Sequence, residues 1–145
     1  MPENARMTTP SPTACPCGSG HALSACCGRF HPGGPLAGQA PTAELLMRSR
    51  YSAYVLDRLD YLLDTWHPST RPAVLSANEP GLRWLGLTVR QHTVLDADHA
   101  EVAFVARSKL GGRAHRLEER SRFVREDGRW YYVDGDLGGT VNGRP

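Results

Sequence analysis

The sequence predicts an α+β domain, helices packed on a curved antiparallel sheet, preceded by a small zinc-binding motif. Three observations carry this. Apolar residues between Thr42 and Trp66 recur at helical spacing. From Arg83 onward the period becomes two, punctuated by the turn pairs Gly111-Gly112 and Asp127-Gly128. All four cysteines fall within "CPCGSGHALSACC", residues 15–27. Helices followed by a run of long strands place the helices on one face of a sheet.

Composition bounds the rest. At 145 residues there is room for one domain with a small appendage. A hydrophobic share of 40% and a charged share of 22% fit a globular chain. The net charge of +2 gives no overall field for nucleic acid or membrane. No run approaches the roughly 18 apolar residues of a membrane span. "MPENARMTTPSPTA" lacks the apolar core of a secretory signal, so a cytoplasmic location is expected, where lasting disulfides are rare.

Residues 1–41 contain seven of the eleven prolines and few large apolar residues. Such a segment cannot bury much core and should be disordered without a metal. It divides into a disordered tail (1–13), the cysteine motif (14–31) and a flexible linker (32–41). The motif spacing is C-x-C-x8-C-C. Bridging Cys26 to its neighbour Cys27 distorts the backbone, and Cys15–Cys17 closes a very small loop. A thiol redox site more often reads C-x-x-C beside a βαβ unit. Two close pairs separated by a foldable loop supply four corners of a tetrahedral thiolate site, so Cys15, Cys17, Cys26 and Cys27 are expected to hold Zn2+. Free thiols and another metal or redox use are the alternatives. Gly18 and Gly20 permit the sharp turn after the first pair, and "ALSA" can form the helical turn that presents the second. His21 and His31 read as solvent-exposed, with His31 the substitute fourth ligand should adjacent cysteines prove unsuitable.

The domain proper spans 42–136, followed by a flexible tail at 137–145. Thr42 caps the first helix, with Glu44 in its first turn; Leu46, Met47, Tyr51, Tyr54 and Val55 form its apolar face. Leu59–Trp66 forms a second helical piece. "HPSTRP" then breaks the pattern, and Ser69 or Thr70 can cap a short third helix. Two-residue turns at 111–112 and 127–128 set Phe104 opposite Glu119, Val102 opposite Ser121, Ala106 opposite Leu117, Phe123 opposite Tyr132 and Ser121 opposite Asp134. The turn "DADH" pairs Leu95 with Ala100, which puts Leu85, Leu87, Val89 and Gln91 on the same apolar face. The other face carries Arg90, Arg107, Lys109, Arg116, Arg120, Arg122 and Arg129 against Glu101, Glu118 and Glu126. A one-residue slip would bury those arginines, so the register is strongly specified.

That register exposes an anomaly: Glu119 lies on the apolar face, with Ser121, Asp134 and His115 nearby. A carboxylate aimed at a core is costly unless paired. A structural reading satisfies it with hydrogen bonds from Ser121, Trp66, Gln91, Arg71 or backbone amides. A functional reading makes it the acid of a pocket lined by Trp66, Gln91, Phe104, His115, Glu119, Ser121, Tyr132 and Asp134. No Ser/His/Asp order, P-loop, dinucleotide fingerprint or H-E-x-x-H motif is present, so no catalytic residue is assigned and enzymatic activity is left open.

"CPCGSG…CC" resembles the SEC-C motif, named for the zinc module at the C-terminus of the SecA translocation motor. "LMRSRYSAYV", "YLLDTWHPSTRP", "WLGL" and "LEERSRFVREDGRWYYVDG" resemble the YchJ-like family of bacterial proteins. That family joins a SEC-C motif to a domain of the nuclear transport factor 2-like superfamily, which implies a cone-shaped fold with a cavity between helices and sheet. Some relatives carry a second cysteine motif at the C-terminus, whereas "GDLGGTVNGRP" has none. The resulting expectation is a zinc-binding, non-catalytic interaction protein whose SEC-C-like motif meets a protein or ribosomal partner. The alternative is a small-molecule binder or enzyme using the pocket around Glu119 and Asp134. Homodimerisation through the sheet is a further expectation. Nucleic acid is disfavoured as a specific target, because glutamates interrupt the basic face and aromatic interleaving is thin.

Overall fold

A computed structural model describes residues 13–138. The expected tails lie outside the described residues over 1–12 and 139–145. The chain runs through two 3₁₀ turns (Leu23–Ala25 and Cys27–Arg29), helix α1 (Ala43–Val55), helix α2 (Leu59–Asp64) and strands β1 (Arg83–Asp96), β2 (His99–Leu110), β3 (Arg113–Glu126) and β4 (Arg129–Leu137). The strands form one antiparallel meander in the order β1-β2-β3-β4. The helices pack on one face of it, as the period change predicts.

Local chemistry explains each boundary. The Thr42 hydroxyl accepts the Leu45 amide at 3.1 Å and starts α1. Asp57, with φ 55°, turns the chain between the helices. The expected third helix does not form. Ser69 bonds instead to the His67 ring and the Thr70 hydroxyl donates to the Val133 carbonyl, tying the segment to β4. Gly111-Gly112 and Asp127-Gly128 take positive φ as two-residue hairpin turns.

The β2–β3 register matches the turn argument: Phe104 pairs with Glu119, Val102 with Ser121, Ala106 with Leu117. β1 departs from it. The turn is two residues, Ala97-Asp98, and the register then shifts at Leu95, Arg90 and Leu85. Each bulge inserts an unpaired residue and flips the residues beyond it to the other face. Leu85 and Leu95 therefore stand exposed, Gln91 pairs with Ala103 and is exposed, and His92 takes the inward position opposite Val102. A fourth shift, at Val133, lets Phe123 pair with Tyr132 as expected but sets Gly135, not Asp134, opposite Ser121.

The N-terminal segment is not an appendage. Cys15, Cys17, Cys26, Cys27 and Phe30 belong to the same buried cluster as Leu46, Met47, Tyr51, Leu62, Val102, Phe104, Phe123 and Trp130. The linker folds back on the motif, with the Leu36 amide donating to the Arg29 carbonyl and the Gly38 amide to Phe30, both at 2.9 Å. Residues 32–41 are thus a set of bonded turns rather than a loose tether.

Candidate metal centre and sheet cavity

Two sites flank α1. On one side the four cysteines converge. Gly18 and Gly20, at φ 81° and 89°, reverse the chain after the first pair. The Leu23 amide donates to the Thr13 carbonyl and the Cys15 amide to His21, closing the knuckle. The four Sγ atoms lie within 4.8 Å of one another, with Cys15–Cys17 and Cys17–Cys26 each at 3.6 Å. Tetrahedral metal–sulfur bonds of about 2.3 Å place ligand sulfurs about 3.8 Å apart, so the spacing fits a tetrahedral thiolate site. A disulfide would need about 2.0 Å, and all four thiols are free.

The hydrogen bond between Cys15 and Cys17 holds the Cys15 thiol far below its ordinary range, while the bond between Cys15 and Cys27 pushes the Cys27 thiol far up. Burial also raises Cys26. Four thiolates at this spacing repel one another, and a dication removes that repulsion. Around them the Ser19 hydroxyl donates to Cys26 Sγ at 3.1 Å, Ser52 Oγ of α1 lies 3.5 Å from Cys15 Sγ, and Arg48 donates to the Cys17 carbonyl. Such outer contacts orient ligands. The four cysteines can therefore hold a metal ion.

His31 is neither solvent-exposed nor a fourth ligand. It is fully buried; its Nε2–H donates to the Ser49 carbonyl at 2.8 Å and its Nδ1 accepts from Arg58 at 2.7 Å. Both ring nitrogens are committed away from the sulfurs, and burial lowers its pKa, keeping it neutral. His21 is exposed, as expected.

On the other side of α1 lies a cavity of about 360 Å³ between helix and sheet. Phe104, Glu119, Ser121 and Tyr132 line it. Glu119 Oε2 accepts from the Ser121 hydroxyl at 2.7 Å and from the Tyr132 hydroxyl at 3.1 Å. Gly135 faces the same point from β4: a Cβ there would collide with the Glu119 carboxylate. The remaining candidates sit elsewhere. Trp66 stands behind Tyr132 in an edge contact at 5.0 Å. His115 pairs with Ser108 toward the hairpin end and does not line the cavity. The β1 bulge at Leu95 carries Gln91 to the outer face. The Val133 bulge carries Asp134 there too, where it bonds Arg122 at 2.6 Å.

The cation in this region is one that the sequence pattern does not single out. Arg50 of α1 is 5% exposed, donates to the Leu62 carbonyl at 2.8 Å and the Thr65 hydroxyl at 2.7 Å, and lies over the Tyr132 and Trp66 rings. Burial lowers its pKa against the pull of Tyr54, Tyr132, Tyr61 and Glu119. Its one signal is positional: it comes four residues after Leu46 and four before Tyr54, inside the apolar stripe. Arg71, an expected partner for Glu119, instead donates to the Trp66 carbonyl in an exposed position.

Comparison with known proteins matches both parts. Residues 13–29 match the SEC-C motif and residues 42–135 the YchJ middle NTF2-like domain. A UPF0225 protein of Methylibium petroleiphilum is 62% identical over 133 residues, covering 92% of this chain and 95% of that protein. Another from Bordetella parapertussis is 60% identical, covering 88% and 95%. The solution structure of a SEC-C motif containing protein from Rhodopseudomonas palustris superposes with a TM-score of 0.72 at 30% identity, covering 86% of this chain and 98% of that one. A crystal structure of a SEC-C motif containing protein from Psychrobacter arcticus gives 0.67 at 30% identity, covering 88% and 84%. With the motif and the domain both matched, and relatives aligned over nearly their whole length, the chain belongs to the YchJ-like family, the UPF0225 proteins.

Proposed function

We propose that this protein is a zinc-binding, non-catalytic interaction protein whose cysteine motif organises a surface for a protein or ribosomal partner in the cytoplasm. The observation that carries the reading is the closed four-cysteine cluster: Cys15, Cys17, Cys26 and Cys27 are all buried, between 1% and 5% exposed. A catalytic zinc keeps an open position for water or substrate, whereas a structural zinc is fully enclosed by protein ligands. Four thiolates select a soft or borderline cation over Mg2+ or Ca2+. The four cysteines would hold the ion, which supplies folding free energy to the knuckle. Ser19, Ser52 and Arg48 orient the ligands, and the knuckle presents His21, Ser24 and Ala25 outward. Resemblance to the SecA zinc module supports a macromolecular partner for that outward surface. Among the described residues, no helix is long and apolar enough to cross a membrane.

The test places a photo-crosslinking residue at Ser24 in the full chain, in cells, and compares the otherwise native protein with Cys26→Ser. The reading expects a discrete crosslink to one protein, ribosomal or otherwise, that is lost with Cys26→Ser. Identical crosslink patterns from both proteins, or none from either, would refute it.

A further inference from the structure

The cavity across α1 from the cysteines carries a second reading, one that does not depend on the metal. We propose that it is a binding site for a small aromatic molecule bearing an N–H donor, an amine or a neutral ring N–H, received by Glu119. The walls are aromatic: Tyr51, Tyr54, Trp84, Phe104, Phe123 and Tyr132. Trp84 meets Tyr51 edge-on at 5.7 Å and Phe123 meets Tyr132 at 5.8 Å, so the rings brace one another. A volume of about 360 Å³ is at the lower end of the usual small-molecule range, room for one or two rings and a short tail.

The polar groups set the chemistry. Glu119 Oε2 is taken by Ser121 and Tyr132, whereas Oε1 accepts no hydrogen bond among the described residues. A carboxylate held on an aromatic wall with one oxygen left over is an acceptor. Arg50 supplies the balancing positive charge. Its Nη1 is committed to Leu62 and Thr65, and the guanidinium lies over the Tyr132 and Trp66 rings. At the open oxygen itself the nearest charge is the carboxylate's own, which favours a donor or cation there over an anion. Gly135 leaves the space into which the carboxylate packs, fixing where the acceptor stands.

The test uses three probes of one ring system: tryptamine, indole and indole-3-acetate. Each is titrated into isotope-labelled full-length protein and followed by two-dimensional amide NMR. Tryptamine and indole should shift the resonances of Glu119, Ser121, Tyr132 and the Trp84 side chain. Tryptamine should bind at least about tenfold more tightly than indole-3-acetate, as expected for one charge-assisted hydrogen bond. Glu119→Gln should reduce that preference to less than about twofold, because the amide keeps an acceptor but loses the charge. Ala106→Phe, which fills the cavity and leaves every polar group in place, should abolish binding of all three. The proposal is overturned by an absence of shifts at the cavity residues with all three probes, by indole-3-acetate binding as tightly as tryptamine, or by folded Ala106→Phe protein that still binds. The first two outcomes are read on the unmodified protein, so a variant that fails to fold does not rescue the idea.

Discussion

Gly135→Ala separates local propensity from the packing of Glu119, because the two act with opposite signs. Gly135 sits in β4 in ordinary extended backbone, where alanine normally stabilises by about 0.5–1 kcal/mol. Here the added Cβ collides with the Glu119 carboxylate. The side chain can swing away only by giving up its bonds from Ser121 at 2.7 Å and Tyr132 at 3.1 Å. Each bond to a charged acceptor is worth about 1.5 kcal/mol at the low end suited to a half-buried group, so roughly 3 kcal/mol is lost. Net destabilisation is then about 2 kcal/mol, or a fall in Tm of about 4–8 °C for a domain of this size. Urea and thermal denaturation of Gly135→Ala, Glu119→Ala and the double variant form a double-mutant cycle. In the Glu119→Ala background the collision is gone, and Gly135→Ala should become neutral or stabilising. A stabilising effect of Gly135→Ala in the unmodified protein would refute the reasoning, as would the same loss in both backgrounds.

Two further outcomes rest on the same geometry. Arg116→Glu with Arg120→Glu reverses two exposed charges paired with the half-buried Glu118 and Glu101. It should cost no more than about 1 kcal/mol by denaturation, and a much larger loss would mean that the sheet face is buried against a second copy. His31 has its pKa lowered by burial. The unfolded state therefore takes up the proton first, so the stability is fully present above the ordinary histidine pKa of about 6.5 and is lost as pH falls below it toward the folded value. Between pH 7 and 5.5 the stability of His31→Gln should fall less steeply than that of the native protein; equal slopes would contradict a buried neutral imidazole.

The parts of the fold legible in the sequence divide from the rest along physical lines. The β2–β3 register and the inward Glu119 come from a single Gly-Gly turn, since an unbulged ladder propagates its parity over its whole length. β1 and the end of β4 do not, because the bulges at Leu85, Arg90, Leu95 and Val133 leave no mark in an alternating pattern. Those bulges are why strict alternation puts Gln91 and Asp134 on the wrong face. Arg50 escapes notice because arginine ordinarily lines a helix face with water, and only the carbonyl of Leu62, the hydroxyl of Thr65 and two rings make its burial tolerable. The convergence of four sulfurs is legible from C-x-C-x8-C-C. That the knuckle packs into the main core through α1 is not, since nothing in a Pro- and Gly-rich segment announces that Phe30 and His31 are buried.

The central claim, a structural metal centre joined to the core, is tested most directly by elemental analysis of the reduced full-length protein purified without chelator. The account predicts about one zinc per chain, released together with four reactive thiols when a mercurial is added. A dication removes the repulsion among thiolates held this close, and such a site contributes roughly 10–16 kcal/mol on binding. Freshly prepared protein that contains no stoichiometric metal, yet keeps residues 13–41 folded against α1 with all four thiols free, would contradict it.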